Sequence, residues 1–118
     1  MEADSHPGMS NERAALMFSA LGSEQRLAVL GALVRAGANG VTIGELGKRC
    51  GIEGSTLTHH LKALTQAGLV SQEKRGRSIH CAAAEYGMIE ELSTFLIRNC
   101  CTESNLAPSD ISKEKAGI

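Results

Sequence analysis

Apolar residues recur at helical spacing in five stretches of the chain, most of them closed by glycine. Glu12 to Leu21 brings Ala15, Leu16 and Ser19 to Ala20 to one side of a first helix that ends at Gly22. Ser23 is placed to cap a second helix, with Leu27, Leu30 and Val34, and Leu33 beside them, as its inward stripe and Gly37 past its end. Thr42 and Glu45 have the T-x-x-E spacing of a capping box, in which hydroxyl and carboxylate reciprocally take up the first orphan N–H groups. Ile43, Leu46 and Cys50 then recur at three and four until Gly51. Beyond it, Ser55 is expected to cap a helix that turns Leu57, Leu61 and Leu64 inward, turns Thr56, Thr58, His59 and Lys62 outward, and stops at Gly68. The pattern then changes to that of strands. Leu69 to Glu73 and Ser78 to Ala83 flank Lys74-Arg75-Gly76-Arg77, which predicts a short hairpin with a basic tip. Tyr86 to Cys101 predicts a last helix whose stripe of Met88, Ile89, Leu92, Phe95 and Leu96 is wide enough to be buried against a second subunit.

These elements give a mainly α domain with a small β-hairpin over residues 11–103, between polar segments 1–10 and 104–118 that read as mobile tails. Composition sharpens this in two ways. Aromatic residues are 3% of the chain, so leucine, isoleucine, valine, alanine and methionine must make the core. A chain of 118 residues buries only about two thirds of its unfolded surface, and a homodimer sharing apolar helix faces would thicken so thin a core. The formal net charge of −1 also conceals an asymmetry. Residues 48–77 carry six cations against two carboxylates, a net of +4, and residues 85–118 carry three against six, a net of −3. One part of the domain is built to meet an anion. No apolar run approaches the roughly 18 residues of a membrane span, and the N-terminus lacks an apolar signal core. A soluble, cytoplasmic chain with no membrane partner is expected, in which cysteines serve as buried thiols, metal ligands or redox groups rather than as a disulfide framework.

Two short helices joined through Gly51-Ile52-Glu53-Gly54 and followed by a basic-tipped hairpin have the layout of a winged helix-turn-helix. A recognition helix enters the major groove with small polar side chains near its start, while the wing lays cations along phosphates. Here the helix offers Ser55, Thr56, Thr58, His59 and Lys62, and the wing offers Lys74, Arg75 and Arg77. The same pattern also fits an ordinary amphipathic helix followed by a solvated turn. No nucleophile is paired with a base, no phosphate-cradling glycine loop precedes a helix, and no C-x-x-C opens one, so the chain does not read as an enzyme.

The run G-I-E-G-S-T-L-T-H-H-L-K-A-L-T-Q-A-G-L-V, preceded by V-T-I-G-E-L-G and followed by K-R-G-R, resembles the DNA-binding segment of the ArsR/SmtB family. L-G-S-E-Q-R-L-A-V-L resembles that family's second helix, and the likeness spans about residues 15–101. It implies a repressor that forms a homodimer through its first and last helices, binds a palindromic double-stranded operator and releases it when an inducer occupies a thiolate or histidine site. It also makes His59 a DNA contact.

Departures from the family bear on the inducer. Glu45-Leu46-Gly47-Lys48-Arg49-Cys50 lacks the paired cysteines of the E-L-C-V-C-D-L sensors, and Tyr86 to Cys101 lacks the histidines of the zinc and nickel sensors. The terminal Asn99-Cys100-Cys101 resembles arsenite-responsive members. The implied inducer is therefore a trivalent arsenic or antimony species (arsenite, methylarsenite or antimonite) held by Cys100, Cys101 and Cys81, with no resident cofactor. Soft thiolates select such soft ions. Cys81 equally fits a small packed residue alternating with Ile79 and Ala83, and Cys50 reads as packing. The rival reading is a redox or sulfide sensor in which Cys100 or Cys101 forms a disulfide or polysulfide. Of the other histidines, His60 can hydrogen-bond within the domain, His80 reads as a surface residue of the wing, and His6 lies in the tail.

Overall fold

The computed structural model of the chain describes residues 8–99 and 101–103, so Cys100, the expected tail from residue 104 onward and most of the N-terminal one lie outside the described residues. The elements run α1 (Asn11–Ala20), α2 (Glu24–Ala36), β1 (Val41–Thr42), α3 (Ile43–Cys50), α4 (Gly54–Gln66), β2 (Val70–Arg75), β3 (Ser78–Ala83) and α5 (Tyr86–Thr94). Among the described residues no helix is long and apolar enough to cross a membrane.

Hydroxyl caps start three of the helices. Ser10 accepts from the Arg13 N–H at 3.1 Å, Ser23 from that of Arg26 at 3.3 Å and Thr42 from that of Glu45 at 3.2 Å. Ser10 and the buried Met9 therefore belong to the packed unit rather than to a tail. Only half of the expected capping box forms, because the Glu45 carboxylate accepts from Arg49 Nε at 3.0 Å. Ser55 is not a cap. α4 starts at Gly54, Glu53 is its N-cap residue without a side-chain bond, and Ser55 stands exposed in the first turn. Gly51 ends α3 in the left-handed conformation, φ 68°, which lets its N–H reach the Gly47 carbonyl at 2.8 Å.

Buried faces differ from the expected ones in α1 and α2. α1 buries Ala14, Met17 and Ala20, while Leu16 and Phe18 are exposed. α2 buries Val29, Leu30, Ala32 and Leu33 and leaves Leu27 and Val34 about half exposed, at 53% and 50%. The reason is geometric. In α1 the buried alanines let the helix approach the core closely, and in α2 the buried arc is rotated to take in Val29 and Ala32 beside Leu30 and Leu33. The centre of the core is formed by Met17, Val29, Leu33, Leu46, Leu57, Leu61, Leu64, Leu69 and Cys81.

The hairpin is longer and its turn tighter than expected: β2 continues through Lys74 to Arg75, which pairs with Ser78, leaving only Gly76-Arg77 in the turn. A third strand joins it. β1 pairs antiparallel with β3, Val41 opposite Cys81 and Thr42 opposite His80, giving the order β1-β3-β2. α5 stops at Thr94, short of the expected Cys101, and continues as turns. The Thr94 hydroxyl donates to the Glu91 carbonyl at 3.3 Å, competing for the group that the Phe95 N–H would need to carry the helix onward. Phe95 and Ile97 then bond back by three residues instead of four.

Candidate functional site

Leu57, Leu61 and Leu64 press one side of α4 into the core, which places Ser55, Thr56, Thr58, His59 and Lys62 together on its exposed side. α3 lies close beneath the turn that leads into α4. A Cβ at Gly47 would stand 3.1 Å from the Ile52 carbonyl oxygen and 3.5 Å from a Leu57 methyl, so glycine there sets how tightly the two helices join. The hairpin is tied to the far end of α4 by a Gln72 amide donating to the Thr65 hydroxyl at 3.0 Å.

At the hairpin tip Lys74, Arg75 and Arg77 are all exposed, but they are not equivalent. Arg75 places Nε and a terminal nitrogen 3.1 and 3.0 Å from one carboxylate oxygen of Glu73. Among the described residues no hydrogen bond or ion pair holds Lys74 or Arg77. Two cations thus stand ready for an anion, and the third must first leave its carboxylate.

His60 is the functional group that spacing alone left ambiguous. It is only 9% exposed on the inner side of α4, where its Nδ1 accepts from Arg26 Nε at 3.2 Å and its Nε2 lies 2.8 Å from the Gln25 side-chain oxygen. Burial, with the Arg26 guanidinium and His59 adding to it, pushes its pKa below the ordinary histidine value. His80, expected on the surface of the wing, is half-buried in the central strand with its Nδ1 buried and without a hydrogen-bond partner.

The thiols occupy different surroundings. Cys81 is wholly buried in β3 between Val41 and Gln72, and burial raises its pKa, which keeps it a thiol. Cys50 is half-buried, its Sγ 3.9 Å from the Ala28 carbonyl, with burial raising its pKa against the pull of Arg35. Cys101 is half-buried in a turn with left-handed backbone, φ 66°, and Cys100 lies outside the described residues. Among the described residues no three His, Cys, Asp or Glu side chains are grouped to hold a metal ion.

Just ahead of those terminal cysteines, Arg98 donates to the Met9 carbonyl at 3.1 Å and lies 5.0 Å over the Phe95 ring, which in turn meets Phe18 at 6.4 Å. The segment after α5 is thereby held against Phe18 of α1 and the Met9 backbone ahead of it. Around it Leu16, Phe18, Tyr86, Leu96 and Ile97 are exposed.

Residues 21–73 match the helix-turn-helix domain family. The chain is 35% identical over 71 residues to the uncharacterised HTH-type transcriptional regulator YceK of Bacillus subtilis, covering 60% of this chain and 70% of that one. Among solved structures it is similar to an ArsR-like transcriptional regulator from Rhodococcus sp. RHA1, with 25% identity, a TM-score of 0.64, and coverage of 91% of this chain and 90% of that one. It also shares its fold with the homodimeric winged helix-turn-helix DNA-binding domain Mb0332 from Mycobacterium bovis, at 17% identity and a TM-score of 0.62, covering 86% and 98% of the two chains. These relatives are transcriptional regulators, not enzymes.

Proposed function

Because this chain belongs to the ArsR family of winged helix-turn-helix transcriptional regulators, we propose that it is a cytoplasmic, homodimeric repressor released from its operator by a trivalent arsenical or antimonial at its terminal cysteines. The DNA-binding part rests on one observation: the exposed polar side of α4, with Ser55, Thr56, Thr58, His59 and Lys62, stands beside a hairpin whose Lys74 and Arg77 have no partner among the described residues. In that arrangement α4 reads base edges in the major groove and the hairpin tip, Arg75 included, neutralises phosphates.

Homodimerisation is supported by the exposed Leu16, Phe18, Tyr86, Leu96 and Ile97 of α1 and the α5 region, and by the homodimeric state of the similar Mb0332 domain. The inducer part is supported by the adjacency of Cys100 and Cys101 and by their position in sequence shortly after Arg98, which bonds the Met9 carbonyl just ahead of α1. Trivalent arsenic or antimony accepts two or three thiolates, so a vicinal pair meets its minimum need. Cys81 is proposed as a packing residue rather than a ligand, because a wholly buried thiol with a raised pKa is slow to supply a thiolate.

Mobility shifts on palindromic operator fragments test this, run with arsenite, methylarsenite, antimonite, zinc, cadmium, peroxide and polysulfide. Cys100→Ser and Cys101→Ser each keep operator binding and lose release by arsenicals, while Cys50→Ser and Cys81→Ser stay inducible. Release of the Cys100→Ser, Cys101→Ser double variant at wild-type arsenite concentrations would overturn the inducer site. Release by peroxide or polysulfide alone would assign the terminal thiols to redox sensing instead.

A further inference from the structure

The exposed side of α4 acts only in a fixed pose, and that pose is held from the opposite side. Arg26 stands where three helices meet. Its backbone N–H is capped by Ser23, its NH1 reaches the Ala20 carbonyl at the end of α1 at 3.4 Å, and its Nε donates to His60 Nδ1 in the middle of α4. The neighbouring Gln25, also in the first turn of α2, takes the other face of the ring through its side-chain oxygen. An imidazole that accepts at Nδ1 must be neutral, with its proton on Nε2, and that proton is the donor to Gln25. Both ring nitrogens are thereby used, and both bonds lead to α2.

We propose that His60 is a positioning residue for operator recognition: its neutral ring fastens α4 to the first turn of α2 and sets the orientation in which the adjacent Thr58 and His59 meet base edges. The inference rests on the reading of α4 as the recognition helix. His59 and His60 are consecutive, their rings 5.7 Å apart and tilted by 53°, so a small rotation of α4 about its axis moves both. Leu57, Leu61 and Leu64 fix which side of α4 faces outward but leave small rotations open, since apolar contact is not directional. The two directional bonds of His60 supply what those leucines do not.

The fastening carries a protonation limit. A proton on Nδ1 removes the acceptor and sets a cation against the Arg26 guanidinium. Arg26 from α2 and His59 from α4 itself are the charged or titratable groups that act on the ring, none being contributed by α1, α3 or β2 among the described residues. Both oppose protonation, as does burial, so the folded pKa lies below 6.5. The fastened state is therefore complete above that value and is lost as pH falls from it toward the lowered folded pKa.

The test measures affinity for a palindromic operator and for an unrelated duplex between about pH 7.5 and 5.5, a range that spans ordinary histidine titration. His60→Ala is expected to lower operator affinity about tenfold, the scale of one or two buried hydrogen bonds, with affinity for the unrelated duplex changed less than about twofold. His60→Asn keeps an acceptor for Arg26 without a titrating ring. It restores most of the discrimination and flattens the loss of operator affinity that the wild type shows on acidification, and it serves as the folded reference where the alanine variant is unstable. An unchanged ratio of operator to unrelated affinity in both His60 variants, or a His60→Asn profile that falls with acid as the wild type does, overturns the proposal. Failure of the wild type to prefer operator over unrelated duplex removes the reading of α4 itself, and this inference with it.

Discussion

The two ends of this small fold are finished to different degrees. The α3–α4 region closes on itself: Leu46, Leu57, Leu61 and Leu64 are essentially without exposure, and each outward residue is polar. The α1–α5 layer is the reverse. α5 buries only Leu92 fully, while Tyr86, Leu96 and Ile97 are 77%, 75% and 62% exposed. The contrast teaches that leucine content does not identify a core. The same residue type supplies self-contained packing in α4 and exposed surface in the α5 region, and the proposed second protomer would cover only the latter.

The largest way to sharpen that contrast is to make one deletion in both regions. Leu61→Ala is expected to cost ~2 to 5 kcal/mol of folding stability, measured by denaturant unfolding, because it empties a well-packed site. Leu96→Ala, at an exposed position, is expected to stay within about 0.5 kcal/mol for the isolated protomer. Equal losses would erase the distinction. The next effect is on assembly. Leu96→Glu combined with Ile97→Glu is expected to convert the proposed dimer to monomer in sedimentation at micromolar concentration while the far-ultraviolet circular dichroism of the helices is kept, since those exposed side chains add little to packing within the protomer.

Smaller effects belong to the outward side of α4 and to the hairpin. Thr58→Ala and His59→Ala are each expected to cost about 1 to 3 kcal/mol in discrimination at one base position, with the melting temperature unchanged. A large fall in melting temperature would make them structural. Smallest is the effect of the tip. Arg77→Ala lowers the slope of log affinity against log salt by about 1 for every sequence alike. Arg75→Ala lowers it less, because Arg75 gives up the Glu73 carboxylate before it can meet a phosphate. Equal slopes in the two variants would mean that this ion pair does not persist in solution.

Local signals made much of this legible. Ser23, Thr42 and Gly51 were readable as helix boundaries because capping is a short-range bond between neighbours in sequence, and the Leu57, Leu61, Leu64 series was readable because its partners follow from one helical period. The exposed set on α4 followed from the same series. What escaped depends on distant partners. Leu27 and Val34 look like core positions until Val29 and Ala32 are seen to share the buried side with Leu30 and Leu33. β1 is two residues long and exists only through β3, so no periodicity announces it. The partners of His60 also escaped, although hydrogen bonding within the domain was expected of it, since Arg26 lies 34 residues away and no spacing links them. Ser55 was misplaced as a cap because a serine ahead of a leucine series satisfies the rule equally well from within the first turn.

β1 also governs the order in which this chain assembles. Val41 and Cys81 are 40 positions apart, and their pairing closes a chain loop that contains all of α3, α4 and β2. The β2–β3 hairpin can zip from its own two-residue turn in microseconds, whereas the third strand is added only after the intervening helices have brought the loop ends together. Thr42 stands at that closure, its backbone opposite His80 and its hydroxyl on the first turn of α3. Completion of the sheet and the cap that opens the helix-turn-helix thus share one residue.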